Sequence, residues 1–172
     1  MTGVDAAPAM LAVCRRRFPG MAWLERDMRN LGLGRRFDAI IAWNSFFHLA
    51  EEGQRALFPI FTCHIASGGL LLFTADSAAG ITVGEIYGRK LFHASLAGGE
   101  YRRLLTAQGF EVLLHRIEDP QCGYHTVWLA RYAATEAAIA GLAVTTRASE
   151  LPNEFANSHD LDTLLAQRDH AV

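Results

Sequence analysis

Two nearly uninterrupted apolar runs, Phe37-Asp-Ala-Ile-Ile-Ala-Trp43 and Leu70-Leu-Leu-Phe-Thr74, restrict the fold of this chain more than any other feature. A strand with one wet face alternates apolar and polar residues, whereas a strand covered on both faces is apolar throughout. Both runs therefore read as fully buried strands, and such strands need a sheet with helices packed against it. The segment between them supplies one helix, from about Glu51 to Ile65, with Leu57, Phe58, Phe61 and Ile65 directed inward. Pro59 predicts a kink in it, and Ser67-Gly68-Gly69 predicts its end.

The flanking sequence extends the alternation. Thr2-Gly-Val-Asp5 is a short strand that leads directly into a helix, with Pro8 in the first turn and Met10, Leu11, Val13, Cys14 and Phe18 as its apolar face. Pro19-Gly20 stops that helix, and Met21-Ala-Trp-Leu-Glu25 reads as the next strand. Residues 76–95 are glycine-rich and aperiodic, which predicts a long irregular loop. A helix is expected from about Gly99 to Gln108, ended by Gly109. Phe110–Glu118 and His125–Tyr132 read as strands joined by Asp119-Pro-Gln-Cys-Gly123, a link too short for a helical crossover. They must form an antiparallel hairpin, with Val112 and Leu114 expected on one face and Leu113 on the other. The whole is an α/β layered sheet with an antiparallel edge over residues 1–132. Residues 133–172 form a C-terminal extension, helical over 133–146 and poorly ordered over 147–172.

Composition excludes several roles. A formal charge of −2 gives no electrostatic basis for binding nucleic acid or an anionic membrane. No apolar run approaches the ~20 residues of a membrane span, and the N-terminus lacks the build of a signal peptide. The three cysteines, Cys14, Cys63 and Cys122, stand far apart and form no Cys-x-x-Cys pair. Free thiols in a reducing compartment follow, with cytoplasm the default. No spacing of His, Cys and carboxylates resembles a metal site. Arg15-Arg16-Arg17 reads as the solvated end of a helix, with phosphate binding the lesser alternative.

Four patterns, in order along the chain, resemble the class I S-adenosylmethionine-dependent methyltransferases. Thr2-Gly3-Val4-Asp5 is similar to that family's second strand and acidic tip. Glu25-Arg26-Asp27-Met28 is similar to the turn after its third strand. Residues 37–49, ending Trp43-Asn44-Ser45-Phe46-Phe47-His48-Leu49, resemble its fourth strand and the start of the pocket. Gly68-Gly69-Leu70-Leu71-Leu72-Phe73 and Glu100-Tyr101 through Val112 resemble its fifth strand and last helix–strand unit. The resemblance covers residues 1–132. It implies a Rossmann-like three-layer sandwich, mostly parallel with an antiparallel C-terminal edge hairpin, and S-adenosyl-L-methionine as cofactor. It also implies that Asp5 binds the ribose hydroxyls, that Asp27 accepts from the adenine amine and that Met28 packs on the ring, with Trp43 and Asn44 completing the cofactor side.

These residue types suit that chemistry. A carboxylate at a strand tip accepts charge-assisted bonds from paired hydroxyls, and a thioether is an adaptable surface for a flat ring. Methyl transfer is an in-line displacement that needs alignment and exclusion of water, and a hydroxyl or amine acceptor gains from a base. His48 and His93 are the candidate bases, because imidazole titrates near neutrality. His48 follows two phenylalanines and equally fits a core histidine, and His93 equally fits an ordinary loop residue. Phe47 and Tyr87 are candidate contacts to a small-molecule acceptor, under a roof formed by residues 76–95.

The family's glycine-rich loop and the strand before it are not found in this sequence. That strand belongs between the second and fourth, so its neighbours are expected to lose partners and residues 1–25 to fold poorly. Family members commonly carry valine where Met1 stands, and a GTG valine codon can start translation. The reading frame is accordingly expected to extend upstream by about one strand and one helix. Two other readings remain: a truncated, non-catalytic remnant that binds or oligomerises through its exposed sheet edge, and a nicotinamide-dependent Rossmann oxidoreductase with Asp5 on the adenosine ribose.

Overall fold

A computed structural model of the chain describes residues 1–86 and 88–133. The expected C-terminal extension lies outside the described residues, apart from its first residue. β1 (Thr2–Asp5) and β2 (Ala22–Glu25) pair in parallel, with Asp5 opposite Glu25. The crossover is α1 (Pro8–Arg17), in which Pro8 opens the helix and Leu11 is fully buried. Arg15, Arg16 and Arg17 occupy its last turn, where cations meet the carbonyl end of the helix dipole.

The chain continues through β3 (Phe37–Ala42), α2 (Glu51–His64) and β4 (Ile65–Ala75). Next come a hairpin of β5 (Gly80–Ile86) and β6 (Arg89–Ser95), then α3 (Gly98–Ala107), β7 (Phe110–Asp119) and β8 (His125–Tyr132). A four-stranded sheet has the order β3-β4-β8-β7, with β3 parallel to β4 and the other two pairings antiparallel. Its core face buries Leu71, Phe73, Trp128, Ala130 and Tyr132 against Phe58, Tyr101 and Leu105 of α2 and α3. Phe73 and Trp128 stack across the β4–β8 pair with centroids 5.8 Å apart, and the rings of Phe58 and Tyr101 pack against them.

Five expectations are corrected. β3 and β4 are not buried on both faces, since Ile41 is 66% and Leu70 36% exposed. The reason is one-sided cover: α2 and α3 lie on the core face, and α1 packs on β1 and β2. Residues 1–25 are ordered into their own parallel pair. Among the described residues no strand joins β1 to β3, and a side-chain bond from Arg35 to Thr2 Oγ1 at 2.6 Å connects their starting ends. Ser67-Gly68-Gly69 does not end the helix. α2 runs through the exposed Pro59 and passes directly into β4, whose register with β3 shifts between Phe37 and Ala39. Gly68 takes φ +76° there, and a Cβ on Gly69 would stand 2.9 Å from the Ala66 carbonyl oxygen.

The predicted loop over 76–95 is largely the β5–β6 hairpin, in register from Gly80 opposite Ser95 to Ile86 opposite Arg89. Finally, a bulge at Leu113 separates Val112, opposite Ala130, from Leu114, opposite Leu129. Neighbouring residues of β8 point to opposite faces, so Val112 and Leu114 do too.

Candidate functional site

The C-terminal ends of the parallel strands carry the predicted cofactor residues. Asp5 ends β1 and Asp27 follows β2, so they share one rim; Trp43 and Asn44 follow β3 beside Ala75 and Asp76 at the end of β4. The Asp5 carboxylate accepts from Ala7 N–H through Oδ1 at 2.7 Å, and among the described residues its Oδ2 has no partner. Asp5 thus retains an acceptor oxygen for a ribose hydroxyl. Asp27 does not. Both of its oxygens are taken by the Arg29 guanidinium, with the closest contact at 2.6 Å, and Oδ1 also accepts Arg29 N–H at 2.9 Å. The hydrogen bonds from Arg29 hold its carboxyl below the usual range, against a smaller opposing effect of burial. An adenine amine reaches Asp27 only if Arg29 swings away. Met28 is half-buried in the short 3-10 turn Met28–Asn30 that Asp27 caps.

Beyond β3 the backbone turns left-handed at Asn44, φ +45°, which costs energy for a residue other than glycine. Hydrogen bonds fix this conformation. Asn44 N–H donates to Thr74 Oγ1 at 2.8 Å, and the Thr74 hydroxyl donates back to Asn44 Oδ1 at 3.1 Å. That assigns the amide orientation, so Asn44 Nδ2 donates to His125 Nε2 at 3.2 Å. His125 is therefore a neutral imidazole with its proton on Nδ1. The half-exposed Trp43 meets the same ring edge-on at 5.6 Å. Sequence reasoning missed Thr74 and His125. The available signal was position, since one ends the second apolar run and the other follows the turn of the terminal hairpin.

The candidate bases do come together. His48 and His93 have ring centroids 4.8 Å apart, and the buried Phe47 lies 4.6 Å from one and 4.8 Å from the other. His48 Nδ1 lies 3.1 Å from the Phe92 carbonyl oxygen. A carbonyl only accepts, so Nδ1 carries a proton, and in the neutral form of the exposed ring the lone pair is on Nε2. His93 Nε2 and Ser45 Oγ are buried without a partner among the described residues. The fully buried Gln54 was also missed. Its Nε2 donates to the Leu49 carbonyl at 2.9 Å and the Ala94 carbonyl at 2.7 Å, tying together the residues that follow His48 and His93. His64, by contrast, is a satisfied core residue, bonded to Ile60 O and Leu33 N–H. Tyr87 lies outside the described residues.

Known proteins resemble this chain in sequence and in fold. Residues 1–69 match a family described as "Methyltransferase domain". Over 72 residues the chain is 35% identical to a dTDP-3-amino-3,6-dideoxy-alpha-D-glucopyranose N,N-dimethyltransferase of Streptomyces fradiae. That match takes in 41% of this chain and spans about a quarter (28%) of the relative. The glycopeptide N-methyltransferase MtfA, solved with S-adenosyl-L-homocysteine, superposes with a TM-score of 0.62 at 18% identity, over 76% of this chain and 73% of that one. CalS10, an amino pentose methyltransferase from Micromonospora echinaspora solved with S-adenosylmethionine, does so at 0.60 and 21% identity, over 76% and 73%. The first 69 residues thus match a methyltransferase domain in sequence, and the fold is that of solved S-adenosylmethionine-dependent methyltransferases.

Proposed function

We propose that the chain methylates an amine or hydroxyl of a small-molecule acceptor at the expense of S-adenosylmethionine. The observation that carries this reading is the pairing of two features. One is an acidic strand tip, Asp5, with an unengaged carboxylate oxygen, and the other is an exposed His48 whose Nδ1–H is held by Phe92 O. The relatives named above support the acceptor class, since their names place methyl groups on amino sugars and glycopeptides.

Asp5 would hold the ribose hydroxyls, and Met28, Trp43 and Asn44 would line the adenosine side. Asp27 would contribute once Arg29 releases it. S-adenosylmethionine supplies a methyl group on a sulfonium centre, whose sulfur keeps the bonding pair on transfer. The acceptor's lone pair forms the new bond, and His48 Nε2 takes the proton it sheds. Phe47 packs against both imidazoles and helps to keep water from His93 Nε2, which strengthens a polar contact made there. His93 assists as a second polar contact through Nε2. The partner is then a small molecule and not nucleic acid, in line with the charge of −2. Cytoplasm fits the unpaired Cys14, Cys63 and Cys122; no helix among the described residues is long and apolar enough to cross a membrane.

Calorimetric titration tests this. S-adenosylhomocysteine should bind and NAD should not, and Asp5→Ala should weaken binding about tenfold or more, the loss of roughly 1.5–3 kcal/mol in charge-assisted bonding. Binding of NAD in its place would support a nicotinamide enzyme. Binding of neither would support a remnant. An Asp5→Ala variant as tight as the parent would remove the assigned role of that residue.

A further inference from the structure

We infer that a cavity of about 360 Å³ between the end of β4, the start of β5 and the β7–β8 turn is the acceptor pocket, and that it takes an amine-bearing polyhydroxylated molecule rather than an anionic one. The inference rests on the methyl-transfer reading above and adds to it where the acceptor sits and what chemistry it carries. Asp76, Thr82, Glu118, Tyr124, His125 and Thr126 supply most of the polar lining, and small residues of 75–80, the hydroxyl of Ser77 among them, supply the rest.

Two structural links join this cavity to the candidate site. Thr82 pairs with His93 across the β5–β6 hairpin, so their side chains share one face at cross-strand distance. His125 receives the Asn44 amide on the other side. The cavity therefore lies between a neighbour of the proposed proton acceptors and a neighbour of the proposed cofactor residues. Its shape is held by unusual backbone. Asn44, Glu118 and Tyr124 are the non-glycine residues with positive φ among those described; the last two line the cavity, and the first bonds to His125 in its wall. Thr126 Oγ1 accepts from Glu118 N–H at 3.3 Å and secures one of them. Such conformations cluster where a site needs them.

The lining selects a class of ligand. It offers two carboxylates, four hydroxyls and an imidazole, and neither lysine nor arginine is part of it. Carboxylates accept from ammonium and hydroxyl groups and repel phosphate and carboxylate. The His125 imidazole presents Nε2 to Asn44, so its Nδ1–H is the donor left for an acceptor hydroxyl.

The test is an amide-resolved NMR titration of the full chain with D-glucosamine, D-glucose and glucose 6-phosphate as probes, with S-adenosylhomocysteine titrated separately. D-glucosamine should shift the amides of Thr82, His125 and Thr126, D-glucose should do so more weakly, and glucose 6-phosphate should leave them unmoved. The paired substitution Asp76→Asn and Glu118→Gln should lower the affinity for D-glucosamine at least tenfold and abolish its advantage over D-glucose. Absence of those shifts, an equal response to glucose 6-phosphate, or an indifferent paired variant would overturn the assignment. S-adenosylhomocysteine binding without a D-glucosamine response removes the pocket alone. The reverse result retains the pocket as a ligand site and removes the methyl-transfer reading.

Discussion

Gln54 offers the sharpest test of how the candidate bases are held. Its amide hydrogens go to the carbonyls of Leu49 and Ala94, and its Oε1 accepts the Tyr101 hydroxyl in a short bond. Gln54→Leu keeps nearly the same volume but strips three polar groups of a partner, the Ala94 carbonyl and Tyr101 hydroxyl buried and the Leu49 carbonyl partly so. An orphaned buried group costs about 1–3 kcal/mol. The Tyr101 hydroxyl can turn to Ser95 Oγ, 3.2 Å away, so its share falls at the low end. A total near 3–5 kcal/mol follows, a large part of a typical domain's 5–15 kcal/mol. Tyr101→Phe removes the same Tyr–Gln bond from the other side and also the acceptor of Leu96 N–H. The two losses share one bond, so the double variant should be less destabilised than the sum by about 1–2 kcal/mol. Urea unfolding of the four proteins, with m-values checked for constancy, measures this directly. The imidazole resonances of His48 and His93 should also move in Gln54→Leu, because Leu49 and Ala94 adjoin them. A cost below 1 kcal/mol, or strict additivity, would refute the argument that Gln54 ties the two segments together.

Three further outcomes are expected. Burial, and to a lesser extent Arg102, pushes the His115 imidazole below its ordinary value of about 6.5, so the unfolded chain binds more protons in that window. The contribution is complete above pH 6.5 and is lost as pH falls toward the folded value; His115→Phe, which preserves stacking on Trp128, should flatten the urea midpoint between pH 7.5 and 5.5, and an unchanged slope would count against it. Arg29→Ala should tighten S-adenosylhomocysteine binding by up to about fivefold by releasing Asp27, the scale of one exposed ion pair; calorimetry that finds equal or weaker binding would show that Arg29 does not compete. A Cβ on Gly3 would meet the Trp23 ring at 2.0 Å, so Gly3→Ala should expose that indole and red-shift its fluorescence, whereas an unchanged spectrum would mean the ring has room to retreat.

The order of strands and helices was legible because each element carried its own local signal. Pro8 and Pro19-Gly20 bracket α1, and the five-residue link before β8 allows only a hairpin. Burial was less legible. An apolar run reports that a strand suits a covered face, whereas the cover itself comes from other elements, and Ile41 is exposed because α2 and α3 lie opposite it. The β5–β6 hairpin was hidden by its glycines, although Ile81, Thr82 and Val83 are strand formers. The bulge at Leu113 had no local signature, because it arises from register with β8.

The same division runs through the site. Asp5, Asn44 and His48 were legible as residues following strands, since position at a strand end depends on local sequence. What each can do chemically depends on partners distant in the chain. Asp27 carries the same carboxylate as Asp5, yet Arg29 occupies it while Asp5 keeps one oxygen open. His48 and His64 are both imidazoles donating to a carbonyl, but Leu33 N–H fills the second nitrogen of His64, and among the described residues nothing fills that of His48. Thr74 and His125 stand 30 and 81 residues from Asn44, and together they fix its amide and thereby the proton on His125. A base is thus defined by the nitrogen that the fold leaves unpaired, and that property belongs to the packed rim rather than to any one segment of the chain.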